Sequence, residues 1–207
     1  MYYFVDLLYL MKLNELRRIQ KPYFGYEELA RALDISEASA RVAASRYAKQ
    51  GLLVRLKRNV YVRRDVWESA GREQRFSLAN VGQVPSYVSL MTALDYHEVT
   101  TQLQREIIES VALKRTREIR VDGTLFRYTK ISGSLYSGFR KEKGFFIAIP
   151  EKALLDAIYL MSLGRYALDL SAMDRSRLDL EQLEALSTRF PSRTRKALAG
   201  YGYLSTA

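Results

Sequence analysis

Between Ser39 and Asn59 the chain places arginines, lysines and small polar residues at a spacing suited to a polyanion. Ser39, Arg41, Val42, Ser45, Arg46 and Lys49 share one side of a predicted helix, and Arg55, Lys57, Arg58 and Asn59 follow on a predicted hairpin. A guanidinium can pair bidentately with a guanine edge, and small side chains let a helix approach base edges in a major groove. Cations on a hairpin tip suit phosphates or an adjacent minor groove. A second concentration of charge runs from Lys114 to Lys143, where nine Lys and Arg (Lys114, Arg115, Arg117, Arg120, Arg127, Lys130, Arg140, Lys141 and Lys143) stand against three Asp and Glu. Phe126, Tyr128, Tyr136 and Phe139 are interleaved with them. That pattern fits a nucleic-acid surface with stacking rings, and it equally fits half-exposed antiparallel strands.

Other residues invite a catalytic reading. His97, the lone histidine, stands in Asp95-Tyr96-His97-Glu98. Adjacent positions cannot put all these side chains on one helix face, so a helix-end histidine bonded to a backbone carbonyl is expected rather than a metal or acid–base site. Glu151 and Lys152 are consecutive, follow Pro150 and precede Asp156. Metal-dependent nuclease cores instead need an acidic residue on one strand and an acid-x-Lys arrangement on the next. Helix capping and a surface ion pair are therefore expected here. The sequence contains no phosphate loop, no dinucleotide fingerprint and no nucleophile elbow. The absence of cysteine excludes disulfides, thiolate zinc sites and a cysteine nucleophile, and it fits a reducing compartment. The expectation is no catalytic residue, no metal and no cofactor.

The elements that must carry the basic residues are legible from periodicity. Tyr26, Leu29, Ala30 and Leu33 give one apolar helix face, and the break at Asp34-Ile35-Ser36 forces a sharp angle, with Ile35 expected to plug the corner and Ser36 to cap the next helix. That second helix is expected from about Glu37 to Gln50, with Ala40, Ala43, Ala44 and Tyr47 as its buried stripe. Gly51 ends it, and apolar residues 52–56 lead through Lys57, Arg58 and Asn59 into residues 60–62. Helix, tight turn, helix and basic hairpin is the order of a winged helix-turn-helix. Val5, Leu8, Tyr9, Lys12 and Leu16 are expected to form its first helix. Thirteen Lys and Arg against six Asp and Glu between Met1 and Arg64 make double-stranded DNA the natural partner, although acidic substrates or an anionic surface suit the same charge.

The whole chain has 207 residues, 48% of them hydrophobic, and a net charge of +10. It can bury a core and has room for one large or two small domains. The apolar start MYYFVDLLYLMKL carries Asp6 and lacks a positive leading region, so a helix is expected there rather than a signal peptide. No stretch approaches the roughly twenty apolar residues needed to cross a bilayer, and a cytoplasmic protein with no membrane partner is expected.

The fold class expected is α+β: an N-terminal winged helix-turn-helix over residues 1–66, a connector over 67–84, and a mixed C-terminal domain over 85–207 with a small antiparallel sheet and helices. Ser86 is expected to cap a helix containing Val88, Leu90, Met91 and Leu94. Strands are expected over 109–113, 117–121, 125–131 and 145–149, with Asp122-Gly123 as a hairpin turn and Arg140 to Lys143 as a basic loop. Pro150 should open a helix that Gly164 stops, and two more helices should follow over 180–190 and 192–199.

The winged segment, PSYVSLMTALDYHEV at Pro85 to Val99, GFRKEKGFFIAIPEKALLDAIYL at Gly138 to Leu160 and a helical tail together resemble the AbiEi-type antitoxins of type IV toxin-antitoxin systems. SYVSLMTAL beside Tyr96-His97, and IAIPEKALLD, are the most specific parts of the resemblance, which covers most of the chain. It implies an N-terminal domain that binds inverted repeats in its own promoter and represses the operon. It also implies a C-terminal domain that counters a nucleotidyltransferase-like toxin without needing a stable complex with it. Three other readings stay open: a winged-helix transcription factor whose C-terminal domain senses a ligand or dimerises, a nuclease, and a protein-docking module.

Overall fold

The computed structural model describes residues 13–102, 104 and 106–204, which fall into two compact units, Met1–Arg72 and Glu73–Ala207. Val5, Leu8, Tyr9 and Lys12 lie outside the described residues.

In the first unit a helical segment at 13–17 precedes α1 (Tyr26–Leu33) and α2 (Glu37–Lys49). Two features begin α1: Glu27 and Glu28 sit in its first turn, and the Glu28 carboxylate reaches back to accept from the Gly25 amide (2.9 Å). Asp34 ends it in the left-handed conformation (φ 54°), a geometry that aspartate tolerates. Ser36 caps α2 as expected, its Oγ accepting from the Ser39 amide (3.2 Å). Ile35 does not plug the corner and is 37% exposed. The left-handed turn at Asp34 closes α1 on the Ala30 carbonyl, and the space between the helices is filled by the fully buried Leu29 and Ala40. Leu16, Ile19, Phe24, Ala43, Ala44, Tyr47, Leu52, Leu53 and Tyr61 complete this core. Strands β1 (Leu53–Lys57) and β2 (Val60–Arg63) pair antiparallel, with a register shift between Arg55 and Lys57. Phe24 adds a third rung through two backbone hydrogen bonds with Tyr61, each 2.9 Å. The short helix α3 (Arg64–Glu68) follows, with Trp67 buried.

The stretch expected to be a connector is largely helical: α3 covers its start, and α4 (Arg72–Gly82) supplies Phe76, Leu78 and Ala79 to the buried core of the second unit. Its polar surface residues mask that face in the sequence. Ser86 begins a strand, β3 (Ser86–Val88), and Ser89, not Ser86, stands at the start of α5 (Leu90–Tyr96). Strands β4 (Ile107–Ala112), β5 (Arg117–Val121) and β6 (Thr124–Lys130) follow, with Asp122 and Gly123 at positive φ in the hairpin turn. The expected basic loop is partly a strand, β7 (Phe139–Glu142), paired antiparallel with β8 (Phe145–Ala148).

The α+β class holds, but the sheet is larger than expected and mixed, with strand order β5-β6-β4-β3-β8-β7. The pairs β3/β8 and β4/β6 are parallel, while β3/β4, β5/β6 and β7/β8 are antiparallel. Hairpins can be read from local turns, whereas the parallel pairs skip over intervening strands, β5 in the case of β4/β6 and most of the sheet in the case of β3/β8. Helix α6 (Pro150–Ser162) is buried along nearly its whole length, and α7 (Leu180–Ser187) and α8 (Ser192–Gly200) pack on it. Tyr128 of β6 donates its hydroxyl to the Ala79 carbonyl of α4 (2.6 Å), and Gly82 sits against that hydroxyl with no room for a side chain.

Candidate nucleic-acid interface

Helix α2 is divided by its own sequence. Ala40, Ala43, Ala44 and Tyr47 are buried, while Ala38, Ser39, Arg41, Val42, Ser45, Arg46 and Lys49 are exposed. Alanine on the inner stripe lets α2 lie close to α1, and the outer face is left as a ridge. At roughly 100° per residue, Ala38, Val42, Ser45 and Lys49 fall within about 30° of the line opposite the buried stripe, and Arg41 and Arg46 flank that line at about 70° on either side. Arg46 lies over the Tyr47 ring, 5.4 Å from its centre. Arg41, Lys49, Arg55 and Arg58 form no ion pair among the described residues.

In the hairpin Arg55 and Arg58 are exposed, Lys57 is half-buried, and Arg55 stands opposite Tyr61 across the ladder. Tyr61 and Tyr26 approach ring to ring (5.9 Å). The Tyr61 hydroxyl is pushed up to about 12, chiefly by burial and then by Tyr26, while Arg41 and Arg55 act in the opposite sense. Both guanidinium groups therefore lie near enough to this hydroxyl to favour its ionised form. Asn59 is exposed and also makes a contact within the unit. Its φ of 56° makes the turn, and its Oδ1 accepts from the Tyr26 amide at the start of α1 (2.6 Å). This contact fastens the hairpin tip beside an open groove of about 480 Å³ lined by Lys21, Tyr23, Glu28 and Asn59 among others. In that groove the Lys21 ammonium holds the Glu28 carboxyl down at about 2, helped by the Gly25 amide.

The second basic concentration is not brought together as one surface. Arg117 and Arg120 lie on β5 at one edge of the six-stranded sheet and Arg140 and Lys141 on β7 at the other. Five strand spacings, roughly 24 Å, separate the two edges. Lys114 and Arg115 are exposed in the β4–β5 loop, and Lys130 is exposed at the end of β6. Arg127 is engaged by Glu118 (2.9 Å) and by the buried Glu109 (3.5 Å), Arg140 by Glu142 (3.0 Å), and Lys143 by Glu73. The rings expected to stack on bases are used inside the unit: Phe126 and Tyr128 are fully buried, and Phe139 stacks on the buried Tyr87 (4.5 Å between centres).

His97 ends α5 and bonds the Ala148 carbonyl (2.8 Å), as expected, and burial pushes its pKa down. The surface ion pair expected at α6 is overturned. Lys152 and Asp156 are paired one turn apart but are 1% and 0% exposed. Asp156 also accepts from the Tyr87 hydroxyl (2.9 Å) and the Ser89 hydroxyl (2.8 Å), and Lys152 donates to Tyr87 (2.8 Å). Gly138, at φ 72°, runs directly over the Lys152 stem, where a Cβ would stand 2.9 Å from it. Glu151 accepts from the Asp179 amide (2.9 Å), which docks the start of α7. A Lys and an Asp at i, i+4 within an otherwise apolar helix were the sequence signal for this cluster. Periodicity alone could not say that the helix is buried on every side. No group of three His, Asp or Glu side chains that could hold a metal is found among the described residues. Among the same residues no helix is long and apolar enough to cross a membrane.

A helix-turn-helix with a basic antiparallel hairpin, joined in one chain to a mixed α/β unit, defines the class as a two-unit winged-helix protein. Residues 11–64 match the model of a family described as transcriptional regulator, AbiEi antitoxin, the family that the sequence resembles. The matched segment contains α1, α2, β1 and β2; the two C-terminal segments that carried the rest of the resemblance lie outside it. No curated protein matches the chain in sequence.

Proposed function

We propose that this protein is a DNA-binding transcriptional autorepressor and the antitoxin of a type IV toxin-antitoxin system, opposing a nucleotidyltransferase-like toxin encoded nearby. The observation that carries the DNA-binding half is the α2 ridge: small and cationic side chains stand out from a helix whose inner face is buried, with Arg55 and Arg58 exposed on the hairpin that follows it. In this reading Ser39, Arg41, Ser45 and Arg46 approach base edges in a major groove, and Lys49, Arg55, Lys57 and Arg58 hold the phosphate backbone. Asn59 positions the wing. Inverted repeats in its own promoter are the proposed site, and repression is by occupancy. The antitoxic half is supported by the family match and by the C-terminal sequence segments.

Because the match stops at residue 64, a winged-helix transcription factor with a ligand-sensing or dimerising second unit and no toxin partner is the second reading. The test is binding of the purified chain to its own upstream DNA and to a scrambled duplex of equal length across a salt series. Selective binding with a steep salt dependence is expected. Equal, weak binding to both duplexes would refute operator recognition. Co-expression with the neighbouring gene then separates the two readings, since rescue of growth is expected only of an antitoxin.

A further inference from the structure

Val42 is 68% exposed, the highest value among the exposed large hydrophobic side chains of the described residues. It lies near the crest of the α2 ridge, with Ser45 and Arg46 one turn ahead, Ser39 one turn behind and Arg41 beside it. Valine is a poorer helix former than alanine, and at 68% exposure this one gains little packing within its unit in return. Branching at Cβ holds a helical valine mainly in one rotamer, so its two methyl groups are presented in a fixed direction. Apart from Ala38 one turn behind it, its neighbours on the exposed face are polar, so it is not part of a broad apolar patch of the kind that marks a protein-docking face.

We propose that Val42 is a specificity-determining residue whose side chain packs against the 5-methyl group of a thymine. The inference rests on the DNA-binding reading given above and deepens it. In the major groove a thymine offers one apolar feature, its methyl group, beside acceptors and donors that arginine and serine can read. The crest of the ridge is where a helix entering the groove comes nearest to the base edges, and Arg41 and Arg46 lie on its two flanks. A branched aliphatic group at that place has a ligand of matching size and chemistry.

The experiment is a uracil scan. Once the protected stretch of upstream DNA is known, each thymine in it is replaced in turn by uracil, which removes one methyl group and keeps the base-pairing edge. Affinities are measured for the full-length protein and for Val42→Ala, which keeps a good helix former at an exposed position. For the native protein, uracil at one position per half-site should weaken binding about fourfold, the effect of withdrawing one buried methyl group. Val42→Ala should be indifferent to that replacement while responding normally at all others. Selective DNA binding with no position at which Val42→Ala changes the response to uracil overturns the proposal. So does an unchanged DNA affinity in Val42→Ala combined with loss of a protein partner. Absence of selective DNA binding by the native protein would instead refute the DNA-binding reading itself.

Discussion

Truncating Asp156 to alanine should remove the acceptor on which the buried cluster of the second unit is built. Lys152 would keep an ammonium that is 1% exposed, with the Tyr87 hydroxyl as a neutral neighbour, and the Ser89 hydroxyl would lose its acceptor. Burial already pushes the Lys152 pKa down while Asp156 acts to raise it, so the carboxylate is what favours charge at this position. Breaking a buried pair from one side costs about 3–5 kcal/mol. With a urea dependence of about 2 kcal/mol per molar, the unfolding midpoint should fall by about 1.5–2.5 M. Replacing both members by apolar residues, Lys152→Met with Asp156→Leu, should recover much of the loss, because the desolvation of both charges disappears along with their attraction. Urea unfolding followed by circular dichroism measures all three proteins. A midpoint shift below about 0.5 M in Asp156→Ala, or a double variant weaker than Asp156→Ala, would refute the assignment of a buried charge pair. The same series addresses the nuclease alternative. Metal-dependent DNA cleavage that is lost in Asp156→Ala or Glu151→Gln at unchanged stability would move these residues from structure to catalysis.

Gly82→Ala should destabilise the second unit by about 1–3 kcal/mol, because the new methyl group would overlap the Tyr128 hydroxyl, and Tyr128→Phe should rescue part of that loss in a thermal melt. The Glu28 carboxyl is depressed to about 2 from 4.5, so its stabilisation is fully present above pH 4.5 and lost as pH falls toward 2; Glu28→Gln should flatten that part of the acid unfolding curve followed by Trp67 fluorescence. His97 is held below its usual pKa by burial, so its contribution is present above about pH 6.5 and lost at lower pH, and His97→Gln should reduce the loss of stability below that value. Arg46→Ala should cost about 1–3 kcal/mol at the operator and relax sequence preference, whereas Arg58→Ala should weaken all duplexes alike and lower the salt slope by about 0.9, both read from binding isotherms.

By itself the sequence determined what depends on short spans. The apolar spacing of Leu29, Ala40, Ala43, Ala44 and Tyr47, the Ser36 cap and the Asp122-Gly123 turn each act within a few residues, so the helix-turn-helix and the β5–β6 hairpin were readable, as was the exposed ridge from Ser39 to Lys49. Tertiary structure decided what depends on which elements meet. The parallel pairings of β3 with β8 and of β4 with β6 split the second basic stretch between two sheet edges, and they drew Phe126 and Tyr128 inward. The Asn59 side chain was bonded to the Tyr26 amide, thirty-three residues away. At α6, local spacing gave the Lys152–Asp156 pair but not its burial, because burial was set by α5, α7, α8 and the Gly138 backbone packing on the helix, with Tyr87 of β3 bonded to Asp156. A periodic pattern records which face of an element is apolar; which elements meet that face is fixed only when the whole unit packs.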